Sequence, residues 1–207
     1  MGTRVLGAVA SVALCAGAAQ AATVSFEDIS GTGGGPAVEG LLTATVTDLG
    51  SSQAKFLFNN AGGAPAIFTQ FNFDDADDVL LSVASLDNSD PNVDFNNNLG
   101  NLPQGTNVAF NSEFGFKRTN GMGGVARGVD GMQYFGVTFN LTGTFAQLIS
   151  SLDAGGLRIG THVQALADGS SDTLVSTTPP AVPLPAAGFM LLAGMGGFAA
   201  AKRRKKS

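Results

Sequence analysis

Asp90, Asn92 and Asp94 alternate within the run Asp90-Pro91-Asn92-Val93-Asp94. Side chains at alternate positions of a curved loop can converge their oxygens on one hard cation, and calcium is the metal such ligands suit. The run matches only the first half of a calcium loop. Phe95 stands where an EF-hand needs its turn glycine, and Asn101 where it needs its bidentate glutamate. Upstream, Asp74-Asp75-Ala76-Asp77-Asp78 gathers four carboxylates whose mutual repulsion a cation would relieve. Glu27 and Asp28 are further oxygen donors. The competing reading of all these acids is a set of solvated loops that keep the chain soluble.

Catalytic sets are poorly provided. A Ser-His-Asp or Cys-His arrangement needs a base, and the sequence holds one histidine, His162, and one cysteine, Cys15. Zinc asks for more histidines or thiolates than these. His162 shares a strand pattern with Arg158, Gly160 and Gln164 on its polar face, which reads as an exposed or structural histidine. Glycoside hydrolysis needs only two carboxylates at a fixed separation. No tryptophan and one tyrosine, Tyr134, make a poor sugar-stacking cleft, and the expectation is a non-enzymatic protein. The glycine runs Gly31–Gly35 and Gly121–Gly124 lack the Lys-Ser/Thr of a phosphate loop and read as surface loops. Asn140-Leu141-Thr142 fits a glycosylation sequon at the end of a core strand, where coincidence is the simpler account.

Charge is segregated along the chain. Residues 22–181 hold five bases against all sixteen acids, while five consecutive bases, Lys202 to Lys206, close the sequence. A central segment with eleven excess negative charges repels nucleic acid and favours solubility and cations.

The elements that must position these groups are strands. Thr43–Thr47, Lys55–Phe58, Ile67–Phe73, Val79–Leu86, Met132–Leu141 and Leu157–Leu166 are rich in β-branched and aromatic residues and bounded by Gly, Asn and Asp. Phe135, Val137, Phe139 and Leu141 alternate with polar neighbours, the period of a sheet with one buried face. One helix interrupts the pattern. Thr144 to Gln147 has capping-box spacing, Phe145, Leu148, Ile149 and Leu152 follow at helical intervals, and Gly155-Gly156 stops the run. Short strands at such spacing with a single helix predict an all-β fold, a jelly-roll-like β-sandwich over residues 22–175.

Both ends read as targeting segments. Residues 1–21 have Arg4 at the start, an apolar run from Val5 to Ala18, and the small-x-small pattern Ala19-Gln20-Ala21, which predicts signal cleavage after Ala21 or Ala22. Cys15 lies inside this segment, behind a Leu14 that spoils a lipoprotein box, so the mature chain holds no disulfide. At the other end, prolines 179, 180, 183 and 185 keep the linker 176–185 extended. Residues 186–201 are uncharged, and as a helix would span about 24 Å against about 30 Å of hydrocarbon. Ten of those positions are Ala or Gly, so insertion is marginal, and the tail 202–207, with its bases Lys202 to Lys206, is expected to stay in the cytoplasm.

Val182-Pro183-Leu184-Pro185-Ala186, the apolar stretch, and Lys202-Arg203-Arg204-Lys205-Lys206 follow one another in order. The set resembles the VPLPA-CTERM sorting signal, a variant of the PEP-CTERM class of Gram-negative bacteria, although the Pro-Glu-Pro of the parent class is missing. The resemblance implies export, a transient stay in the inner membrane, processing near the prolines by an exosortase, and an end at the cell surface or in the extracellular matrix of a biofilm. It covers only the last 26 residues or so of the chain. The closing run Leu157 to Gln164 with Ser170-Ser171-Asp172 is similar to the last strands of ectodomains that precede such signals. Adhesion or association with exopolysaccharide is the expected role of the domain, a calcium-dependent carbohydrate-binding module is the alternative, and a polysaccharide hydrolase ranks behind both.

Overall fold

The computed structural model describes residues 20–31, 38–62, 65–88, 91–119 and 127–177. The signal segment up to Ala19, residues 32–35 and 121–124 of the glycine runs, Asp90, and the whole sorting signal from Val182 to Lys206 lie outside the described residues. Ala21 is described and opens the first strand.

Two antiparallel sheets make up the domain. The smaller has the order β1 (Ala21–Val24), β3 (Leu42–Gly50), β4 (Gln53–Asn60), β9 (Tyr134–Leu141), β6 (Leu80–Asn88). The larger has the order β2 (Phe26–Asp28), β11 (Asp172–Ser176), β10 (Leu157–Gln164), β5 (Ile67–Asp75), β8 (Phe114–Arg118), β7 (Phe95–Asn97). This is the expected all-β architecture. Among the described residues no helix is long and apolar enough to cross a membrane.

Phenylalanine joins the sheets. Phe56, Phe58, Phe135 and Phe139 of the smaller sheet and Phe71, Phe73 and Phe116 of the larger are fully buried. Their rings meet across the interface: Phe56 edge-on to Phe73 at 5.1 Å, Phe58 stacked on Phe71 at 4.3 Å, Phe139 edge-on to Phe73 at 5.0 Å. Offset and edge-to-face pairs of this kind add about 1 kcal/mol each to the burial of the rings. Without tryptophan or disulfides, this aromatic seam is what holds the two layers in register.

The predicted strands fall inside β3, β4, β5, β6, β9 and β10, with changes at their ends that have local causes. Met132 takes a left-handed φ of 68° and sits in the turn before β9, so its side chain stays outside the sheet. Ala165, at φ 59°, ends β10 two residues before Leu166. The helix α1 (Phe145–Ala154) is as its sequence specifies. The Thr144 side chain accepts from the Gln147 backbone, the Gln147 side chain accepts in return, and Gly155 caps the far end with φ 77°.

β5 is buried on both faces, unlike a simple half-exposed strand. Its inner face carries Phe71 and Phe73. Its outer face, Gln70, Asn72 and Asp74, lies under the segment 98–113, which contains a 3₁₀ turn at Gly105–Val108. Gln70 donates to Asn101 O at 3.1 Å, and Asn72 donates to Gly100 O at 2.7 Å and to Ser112 Oγ at 3.0 Å. These amides satisfy backbone groups that a loop laid on a sheet would otherwise bury unpaired.

The two sides of the sandwich differ. On one side the chain passes from β1 to β2 through Ser25, switching from the edge of one sheet to the edge of the other, and Thr177 N–H donates to Ser25 O at 2.9 Å. That side is seamed shut. On the other, β6 and β7 are the edges, linked where Phe95 N–H donates to Asn88 Oδ1 at 3.2 Å, and a cleft opens between β6 and β8.

Candidate functional site

The calcium run is only partly visible, and its visible carboxylate is engaged. Asp94 Oδ2 accepts from Thr119 Oγ1 at 2.6 Å and from Arg127 Nη1 at 2.7 Å. The Asp94 backbone also bonds both residues, so it pins the segments at 119 and 127 to the approach of β7. Asn92 is described and has an interaction of its own. Among the described residues no group of three or more His, Cys, Asp or Glu is arranged to hold a metal ion.

The acidic run 74–78 is distributed over separate structural tasks. Asp74 is paired with the guanidinium of Arg158, which also donates to Val108 O and Ala109 O at 2.8 Å and lies 5.3 Å from the centre of the Phe110 ring. Arg158 is therefore a cation beside this run. Asp75 accepts from Val79 N at 3.0 Å and Leu80 N at 2.7 Å, fixing the turn into β6. Burial holds its carboxyl above the usual range, against those hydrogen bonds and with added repulsion from Asp78 and Asp77. Asp77 accepts from Ser151 Oγ at 2.7 Å and so ties the turn to α1.

Glu27 and Asp28 lie in β2, where Glu27 pairs with Val175 and Asp28 with Leu174. Ser30 Oγ is hydrogen-bonded to Asp28 Oδ1 and to Asp172 Oδ1, and the Glu39 carboxylate accepts from Asp28 N at 2.9 Å. These groups link the start of the domain to its last strand.

His162 sits on the outer face of the larger sheet, opposite Gln70 and Thr173. It is half-buried and not fully exposed. Burial and the nearby Lys117 lower its pKa, while Asp172 opposes them. Asn140 of the sequon is spoken for, bonding Gln53 and Ser82 across three strands.

A spacious concavity lies on the open side of the sandwich. A cleft of about 400 Å³ runs between β6 and β8, within the usual range of binding pockets. Leu81 and Val83 of β6 line it together with Leu99 and Phe114, and Glu113, Ser82 and Asn97 are its polar groups. Leu81 and Leu99 are each 62% exposed. A β-bulge produces the first of these: the β6–β9 register steps from Leu80 to Ser82, leaving Leu81 unpaired at the rim. Sequence reading did not single out Leu81, Leu99 or Glu113. The one available signal was the Leu80-Leu81 doublet, which breaks the alternation expected of a half-buried strand.

Against known proteins the chain matches no family, no curated protein and no solved structure.

Proposed function

We propose that this is an exported bacterial protein of the cell surface or extracellular matrix, non-enzymatic, and sorted through its C-terminal signal. The observation that carries the reading is the ordered set of Val182-Pro183-Leu184-Pro185-Ala186, the apolar stretch 186–201 and the bases Lys202 to Lys206. An exosortase grips the extended prolines outside the inner membrane, while the bases stop export and hold the substrate in place. The fold is compatible with such cargo. Its first strand begins at Ala21, beside the expected signal cleavage site, and Thr177 is tied to Ser25, so both targeting segments join the domain on one side. The chain crosses repeatedly between its two sheets, and we read it as a jelly-roll-like ectodomain whose partner is exopolysaccharide or another matrix component.

Replacing Pro183 and Pro185 together by alanine tests this. The expected result is an uncleaved precursor held in the inner membrane fraction, with the folded domain unchanged. Normal release of the double variant would overturn the sorting role. The competing reading, a calcium-dependent carbohydrate-binding module, requires Asp94 to exchange Arg127 and Thr119 for a metal. Melting curves in calcium and in chelator separate the two: superimposed curves remove calcium, and a rise in Tm with calcium restores it.

A further inference from the structure

The open side of the sandwich exposes what the seamed side conceals. Leu81 and Leu99, both largely exposed, line the β6–β8 cleft together with Val83 and Phe114, which are partly buried against the core. Exposed leucines gathered at a concavity mark a binding surface more often than isolated ones do. Glu113 stands in the same cleft. Among the described residues its carboxylate takes part in no ion pair, and the charged groups acting on it are the acids Asp75, Asp78 and Asp74.

We propose that this cleft is a docking groove for an extended, positively charged peptide segment, whose apolar side chains fill the trough between Leu81 and Leu99 and whose lysine or arginine meets Glu113. Charge complementarity identifies the occupant. A carboxylate that has no ion pair among the described residues and feels the charges of three aspartates attracts a cation, and the eleven excess negative charges of residues 22–181 steer a basic partner toward the domain from a distance. Desolvation, followed by repulsion from the three aspartates, holds the Glu113 carboxyl above its ordinary range, and a cation docked beside it would reverse that shift. The open mouth favours a chain-like ligand over a small molecule, since small-molecule sites enclose most of their ligand. A sugar is poorly matched to these walls: leucine, valine and phenylalanine dominate, and Ser82 and Asn97 would meet few of its hydroxyls. The groove does not depend on the sorting signal, so its test stands apart from the processing experiment.

The experiment measures fluorescence anisotropy with the full-length chain in nonionic micelles. One labelled probe is a nine-residue peptide of alternating valine and threonine with lysine at each end; its twin carries glutamate at each end. The lysine peptide is expected to bind, with the twin at least about ten-fold weaker. Glu113→Gln weakens the lysine peptide by about three-fold, and Leu81→Asn by about ten-fold. Both positions are exposed, and an unchanged melting curve establishes that each variant is folded. Absence of binding, equal affinity for the two peptides, unchanged affinity in both variants, or displacement of the peptide by a neutral oligosaccharide would overturn the proposal.

Discussion

Arg158 fastens the 98–113 segment to the outer face of the larger sheet. Its guanidinium spans Asp74, two loop carbonyls and the Phe110 ring, and the Asp74 side chain is only 6% exposed. Arg158→Ala leaves that carboxylate buried without its cation, a loss of about 3 kcal/mol on urea denaturation. Arg158→Lys recovers only part of it, because an ammonium cannot present the planar fork that reaches several acceptors. Equal stability of wild type and Arg158→Ala would refute this role. His162 acts through pH instead. Its folded-state pKa lies below the ordinary value of about 6.5, so the unfolded chain takes up a proton that the folded one refuses. This contribution to stability is complete above about pH 6.5 and is lost as pH falls through the depressed folded value. His162→Gln should flatten the acid-side loss, read from urea midpoints against pH; an identical slope in the variant would show that His162 is not its source. Asp75 has the opposite sense, because its raised carboxyl costs stability as pH rises through the carboxylate range.

Legibility at the scale of elements follows the strength of the local pattern. Strands with alternating phenylalanines, such as β4 and β9, could be read directly, and so could α1 with its capping box and terminal glycine. β2, Phe26-Glu27-Asp28, and β7, Phe95-Asn96-Asn97, could not, since acids and asparagines are poor strand formers. Pairing with β11 and β8 makes strands of them, a tertiary cause invisible to a local window. The 98–113 segment was likewise illegible, because it is held by Gln70 and Asn72 from far away in sequence. Gly115 permits its close approach: a Cβ there would meet Asn98 O at 2.7 Å and Leu99 Cα at 3.0 Å, both main-chain atoms that cannot swing aside. Gly115→Ala should therefore push the segment off the sheet and cost about 1–3 kcal/mol. The matching check is amide exchange: protection should fall around residues 98–101 while β3 and β4 are unaffected. Unaltered protection at 98–101 would contradict the packing account. The β6–β8 cleft escaped the sequence for a related reason. It needs a bulge at Leu81 and the meeting of residues 81, 99 and 113 across two sheets.

For the whole molecule, the sequence divides into ends that we propose to be address signals and a middle that folds as two β-sheets. The proposed export and sorting signals are short linear patterns, small residues at 19 and 21, prolines at 183 and 185, and bases from 202 to 206, which a processing enzyme would read without a fold. The middle is legible only to the level of its layers, because a β-sandwich specifies its core by alternation and places its binding groups on edges and loops. A chain with fifteen phenylalanines, no tryptophan and one cysteine joins its two sheets through aromatic contacts. The proposed destination of this domain is the cell surface or the extracellular matrix, and the proposed partner of its cleft is basic. The central claim concerns its route there, and intact mass spectrometry of the protein isolated from its own cells tests it most directly. The account predicts a species that begins at Ala22 or Thr23 and lacks Lys202 to Ser207. A mass that still includes Lys202 to Ser207 would contradict it and leave a plain membrane anchor in place of a sorting signal.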